Sequence, residues 1–286
     1  MENQINKIAV VGANGYIGGS LVNFFHKKGI RTLNFTSDQP LILNGKIDDS
    51  LDEVTSVVWC ASRVNPISAE IRPDLVDLEL SEWNYFLDTW KEHYGSQKSI
   101  TFLSSGGCTY SGSSAPFHEE SIAEGINRYG KLKVAMEREL LDRNLPSLIL
   151  RVANVYGPNQ PHGRGQGVIA EWKNAIVNRK DIKVFGSLES YRDYIFIQDL
   201  SEGIFRSLDF VNVPQILNLG GGSPVNLRTI LDIVKTIKHD ITGIEYVEKR
   251  SSDRDGYYLD ISRFMGLANW QPNFSIHEGI RETIVI

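Results

Sequence analysis

Cysteine is scarce in this sequence: Cys60 and Cys108 are the only two among 286 residues. Two do not make a disulfide framework or a metal site, and a reducing, cytoplasmic setting is expected. Long apolar runs are also missing. No stretch approaches the ~20 residues that a membrane span needs, so no membrane partner is expected. The polar start, MENQINK, runs into an apolar stretch broken by Gly and Asn, which argues against a signal peptide. There is no long basic run, and the formal net charge is −5. Nucleic acid is therefore not an expected partner, and any anionic ligand must be met by a few placed cations. Internal repeats and low-complexity linkers are absent as well.

What is present is the composition of an ordinary globular chain, with 41% apolar and 23% charged residues. Its length allows one elaborated domain or two closely joined ones. The stretch Lys7–Gly19, KIAVVGANGYIGG, organises the rest. Ile8–Val11 reads as a short buried strand. Gly12, Gly15 and Gly18 follow at intervals of three. Tyr16 and Ile17 then open an amphipathic helix that Lys28-Gly29 closes. A strand, a glycine turn and a helix form the first half of a dinucleotide-binding unit. Such a turn lets backbone N–H groups and the helix N-terminus approach a pyrophosphate.

Further along, Ile30–Thr36 is expected as a second strand. The place that carries an acidic residue in NAD-binding proteins is held by Thr36 and Ser37, with Asp38 behind them. Hydroxyls accommodate a 2′-phosphate that a carboxylate would repel, so the expected cofactor is NADP or NAD, tilted toward NADP. The strand Ser56–Ser62 puts Ala61 and Ser62 at the carboxyl edge of the sheet, where ligands bind in such folds. A helix over 74–94 follows, then the strand Ser99–Ser105, whose end brings Ser104 and Ser105 to that same edge. The helical pattern 125–144 carries Tyr129 and Lys133, which share one face at i and i+4. After the strand Ser147–Val152 the chain turns irregular and polar through 159–167, where a second lobe begins.

In this order Gly12/Gly15/Gly18, Ser104–Tyr110 and Tyr129/Lys133 resemble the extended short-chain dehydrogenase/reductases. More closely, the chain is similar to the NAD(P)-dependent nucleotide-sugar epimerases, dehydratases and 4-ketoreductases. The resemblance runs on through LRVANVYGP (150–158), VFG (184–186), YRDYIFIQDL (191–200) and Arg250-Ser-Ser-Asp253. It implies an α/β fold: a Rossmann-type doubly wound parallel sheet with a smaller C-terminal substrate-binding lobe. Residues 1–156 would form the dinucleotide-binding domain. Residues 157–286 would be mainly the substrate lobe, with segments around 190–222 returning to the first domain. The resemblance makes Tyr129 the acid/base and Lys133 the residue that holds the nicotinamide ribose, with Ser105 beside them. Gly12, Gly15, Tyr16, Ile17, Gly18, Thr36, Ser37, Ala61, Ser62 and Ser104 would meet the dinucleotide. Cys108, Asn154, Arg192 and Arg250 would meet the nucleotide-sugar substrate. A homodimer formed through paired helices also fits.

One position departs from the pattern. The Ser or Thr that usually stands four residues before the tyrosine of this element falls on Gly106, which has no hydroxyl. Members that also invert C3 and C5 pair a cysteine at the place of Cys108 with a histidine, and the matching place here is Gly167. The expected reaction is hydride transfer at C4 of a nucleotide-diphosphate sugar, by a 4-epimerase or 4-ketoreductase. The alternatives are a 4,6-dehydratase and a non-catalytic dinucleotide-binding redox sensor.

Overall fold

Val, Ile and Leu dominate the inner strands, which are buried on both faces as parallel sheets require, while the edge strand Arg31–Phe35 is partly exposed. The computed structural model describes residues 7–112, 115–210, 216–239, 241–249 and 254–285. Its main sheet contains β1 (Lys7–Val11), β2 (Arg31–Phe35), β3 (Ser56–Trp59), β4 (Ser99–Ser105), β5 (Ser147–Val152) and β6 (Ile216–Leu219). Their order is β6-β5-β4-β3-β1-β2, and every neighbouring pair is parallel. Alternation divides the strand residues between two cores. Ile8, Val10, Val58, Leu148 and Leu150 enter one, while Ala9, Val11, Val57, Phe102 and Ile149 enter the other. The strand order reverses at β1, which opens a crevice at the carboxyl ends of β1 and β3. No described helix is long and apolar enough to cross a membrane.

Three helices frame that crevice: α1 (Tyr16–Lys27), α2 (Pro73–Tyr94) and α3 (Arg128–Asp142). Trp83, Phe86 and Trp90 of α2 pack with Trp59 and Phe102, with ring centroids 4.5 to 5.5 Å apart. The Trp83 indole N–H donates to the Met136 carbonyl of α3 at 3.0 Å, so the two helices are joined through a buried polar contact. The periodicity predicts the third helix from Gly125, but it begins at Arg128. The reason is a cap: the Asn127 side chain accepts from the Gly130 N–H at 2.8 Å, and Gly125 lies outside the helix at φ +79°. Beyond β5, short strand pairs join distant segments. Asn154–Tyr156 runs parallel to Tyr194–Phe196, and Tyr191–Arg192 runs antiparallel to Val225–Asn226.

The buried face of α3 is not purely apolar. Lys133 and Glu137, one turn apart, are 1% and 2% exposed. Lys133 pairs with Glu79 of α2 at 3.3 Å, and Glu137 pairs with Arg151 of β5 at 2.6 Å. The second pair is forked, because Arg151 Nε also donates to the carboxylate at 3.1 and 3.2 Å. The Ser104 hydroxyl donates to the same carboxylate, and Arg151 lies 4.7 Å over the Tyr110 ring. Removing one partner strands the other charge, at a cost of about 3–5 kcal/mol. Arg151→Met should lose that much stability in urea unfolding, and Arg151→Met with Glu137→Gln should regain part of it. A double variant no more stable than the single would show that the pair does not hold α3.

Candidate active site

The glycine turn comes first. Gly12 sits at φ +85°, and a Cβ there would stand 2.7 Å from the Ala61 backbone nitrogen. A Cβ at Gly18 would stand 2.2 Å from the Gly12 carbonyl oxygen. Only glycine permits that turn and that approach. The helix after it has Gly15 at its N-cap, no side-chain cap bond and no acidic residue in its first turn. Its first N–H groups have no intrahelical acceptor, and the helix dipole adds positive potential. Ala61 forms the wall beside the turn, at the end of β3. These features fit a dinucleotide pyrophosphate, which would replace the missing acceptors. Ile17 is half-buried in that first turn. The Tyr16 hydroxyl is instead buried without a hydrogen bond, and it lies 3.0 Å from where a Cβ at Gly157 would stand. At the end of β2, Thr36 closes a tight turn: its N–H donates to the Gln39 carbonyl and its hydroxyl accepts from the Gln39 N–H. Ser37 and Asp38 are exposed.

Tyr129 and Lys133 meet at the N-terminal end of α3. The Lys133 ammonium is 5.5 Å from the Tyr129 ring centroid and 5.2 Å from that of Phe102. The glycine between them has a structural reason: a Cβ at Gly130 would stand 2.0 Å from the Cys108 carbonyl oxygen. The helix therefore abuts the backbone of the short helix Gly106–Thr109, which continues β4. Burial, with smaller contributions from Cys108 and Glu79, holds the Tyr129 phenol well above the ordinary tyrosine range. Burial also pushes the Cys108 thiol up; Asn127 Nδ2 donates to its sulfur at 3.8 Å, and Ser105 hydrogen-bonds it. Ser62 and Ser104, expected at the dinucleotide, spend their hydroxyls on Glu79 and Glu137.

A second group lies on the other side of Cys108. Asn154 Nδ2 donates to the Asp193 carbonyl at 3.0 Å and to the Tyr257 hydroxyl at 2.7 Å. Arg192 donates to the carbonyls of Tyr191 and Arg254, at 2.8 and 2.7 Å. Arg254 donates to the Gly112 carbonyl at 2.8 Å and stacks 4.8 Å over the Phe117 ring. Its Nη1 is shielded from solvent and has no hydrogen-bond partner among the described residues. Both guanidiniums lie about 6 Å from the Tyr257 ring, at 6.0 and 5.9 Å. Asp255, whose carboxyl Lys249 and, to a smaller extent, Arg192 hold below the ordinary range, pairs with Lys249. Burial and, to a smaller extent, the charge of Arg192 hold Arg254 below the ordinary arginine range. Among the described residues neither guanidinium forms an ion pair, and two neighbouring cations so placed can seat an anion. Arg250, expected there too, lies outside the described residues. Sequence reasoning missed Arg254 and Tyr257; the one available signal was a further arginine four residues after Arg250.

Comparison with known proteins bears on the family and the fold. A model of the NAD dependent epimerase/dehydratase family matches residues 8–220. The chain is 28% identical to a dTDP-4-dehydro-6-deoxyglucose reductase of Escherichia coli, over 99% of this chain and 98% of that protein. It is 29% identical to a UDP-glucuronate 4-epimerase of Thermodesulfobacterium geofontis, over 81% of this chain and 72% of that one. Its fold matches the crystal structure of a UDP-glucose 4-epimerase of Thermus thermophilus in complex with NAD, with a TM-score of 0.83, 21% identity and 98% of each chain covered.

The missing hydroxyl at Gly106 has a steric cause. A Cβ there would stand 2.6 Å from Leu259 Cδ1 and 3.2 Å from the Arg151 carbonyl oxygen. Leu259 is fully buried, so it fills the space a serine side chain would take. Gly106→Ser should cost about 1–3 kcal/mol of stability through overpacking. Leu259→Val should relieve part of it, which unfolding of both single variants and the double would read as a coupling of about 0.5 kcal/mol or more. Strictly additive losses would mean that the two side chains do not compete for that space.

Proposed function

The chain belongs to the NAD dependent epimerase/dehydratase family, and on that premise we propose that it oxidises or reduces C4 of a nucleotide-diphosphate sugar, as a 4-epimerase or a 4-ketoreductase. The observation that carries this reading is the anion seat. Among the described residues Arg192 and Arg254 form no ion pair; both lie about 6 Å from the Tyr257 ring, whose hydroxyl abuts Gly107, while Gly130, next to Tyr129, abuts the Cys108 carbonyl. A diphosphate held at the arginines would leave its sugar beside the tyrosine. The relatives named above act on dTDP- and UDP-linked sugars, which fits a substrate of that chemistry. In this reading residues 1–156 carry the dinucleotide, and 157–286 carry most of the sugar nucleotide.

When bound, the dinucleotide supplies or accepts the hydride. The chain's own residues handle the proton. In the free protein Tyr129 is a phenol, the form that donates a proton to a sugar carbonyl oxygen during reduction. To act as a base in the reverse direction it needs positive charge nearby to offset its burial, and Lys133 is the cation in place. Gly15 and the first turn of α1 would hold the pyrophosphate. Thr36 and Ser37 support NADP over NAD, since neither hydroxyl repels a 2′-phosphate; tighter binding of NAD in parallel titrations would overturn that preference.

The test is turnover of purified protein. UDP-glucose and UDP-glucuronate would be incubated with oxidised dinucleotide, and dTDP-4-dehydro-6-deoxyglucose with reduced dinucleotide, with the sugar products resolved by NMR. Tyr129→Phe keeps the ring and removes the transferable proton, so it should cut turnover by about 10²–10⁴-fold. Arg254→Ala should weaken sugar-nucleotide binding by about 2–5 kcal/mol while dinucleotide affinity stays near wild type. Near-normal turnover by Tyr129→Phe, or no turnover of any sugar nucleotide by the wild type, would sink the proposal.

A further inference from the structure

Glu79 is a buried carboxylate that proton transfer between Tyr129 and a sugar does not itself require. It sits on α2 and is 6% exposed. Four donors converge on it: the Ser62 hydroxyl at 2.8 Å, the Arg63 N–H at 2.7 Å, the Val64 N–H at 3.3 Å and the Lys133 ammonium at 3.3 Å. The first three belong to one segment, directly after the Ala61 wall of the glycine turn. The fourth comes from α3. Tying residues 62–64 to α2 would need only the first three. Among the described residues Glu79 is the only hydrogen-bond acceptor of Lys133, whose remaining N–H groups stay available. The groups that bear on Tyr129 are Lys133 from its own helix, Glu79 from α2 and Cys108 from the short helix after β4.

We propose that Glu79 is a positioning residue for the proton-transfer pair: it holds the Lys133 ammonium beside the Tyr129 ring and balances its charge. The proposal rests on the roles given above to Tyr129 and Lys133. It also links both halves of the site. One carboxylate accepts both from the segment behind the pyrophosphate turn and from the lysine beside the tyrosine. The sign of the electrical effect follows from charge. A carboxylate disfavours the tyrosinate, so its loss lets Tyr129 ionise at lower pH.

The test uses Glu79→Gln, Lys133→Met and their double variant. Calorimetry measures the affinity of each for NAD and NADP, and circular dichroism checks the fold. Glu79→Gln should lose dinucleotide affinity by roughly tenfold, the scale typical when a ligand-holding group loses its partner. The double variant should bind no worse than Lys133→Met alone, because Glu79 acts through Lys133. On a nucleotide sugar that the wild type turns over, the pH limb assigned to Tyr129 should move down by about one unit in Glu79→Gln. Wild-type affinity in Glu79→Gln, losses that simply add in the double variant, or an unmoved limb would each overturn the proposal. A merely structural role would lower the rate at every pH and leave the limb in place. Should Glu79→Gln not fold, Glu79→Asp keeps the charge and draws back the carboxylate; it should lose affinity with the limb unmoved, and unchanged affinity or a moved limb would overturn the proposal. The dinucleotide titrations need no sugar. Absence of turnover therefore refutes the proposed reaction and leaves Glu79 to be decided by the affinities.

Discussion

Burying a charge away from its partner costs several kcal/mol, and α3 buries two charges one turn apart. The rest of the site depends on how those two are met. Hydrophobic packing is non-directional, so an apolar face alone would let a helix slide or rotate by fractions of a turn. Lys133 and Glu137 remove that freedom. One must find Glu79 on α2 and the other must find Arg151 on β5, and the two demands are met together at a single register. That register sets Tyr129 against Cys108, and Gly130 allows it by letting the helix touch the Cys108 carbonyl. The hydrophobic core makes α3 a helix against a sheet; the two ion pairs make it a helix in one place.

Much of this architecture was legible because its signals are local. The glycine turn, the apolar strands and the helix around Trp83 each depend on residues within a dozen positions of one another. The boundaries that moved did so for local reasons of a finer kind, as when Asn127 caps Gly130 and starts α3 late. The site was legible where a motif carries its own geometry, as with Tyr129 and Lys133 at i and i+4. It was not legible where geometry depends on chain return. Arg254 reaches Gly112, more than a hundred residues away, and Tyr257 reaches Asn154. Neither juxtaposition has any trace in spacing.

Hydroxyls misled for a related reason. A serine at a strand's carboxyl end reads as a site group because the edge of the sheet is where ligands bind. Whether the hydroxyl is free depends on which helix packs beside it. Ser62 and Ser104 each meet a buried carboxylate that itself needs donors, Glu79 and Glu137, and a buried acceptor claims any donor within reach. Gly106 shows the converse. The absent hydroxyl reads as a gap in the machinery, yet the space is full, because Leu259 of the last third of the chain occupies it. The segment that brings Arg254 and Tyr257 to the site therefore also closes it at Gly106.

The two ends of the site differ in charge balance, and the difference has a direction. At the tyrosine end Lys133 is balanced by Glu79, and burial keeps Tyr129 a neutral phenol. At the far end Arg192 and Arg254, both half-buried, have only carbonyls to bond among the described residues. An anion entering there gains from both guanidiniums and satisfies the shielded Nη1 that lacks a partner. A neutral group entering at the tyrosine gains little until charge develops on its oxygen. In the proposed reaction, binding energy would be collected at a part of the ligand that does not react, while the reacting end would be left to interactions that strengthen only as the proton and hydride move. That division raises the rate of a chemical step rather than merely tightening the ground state.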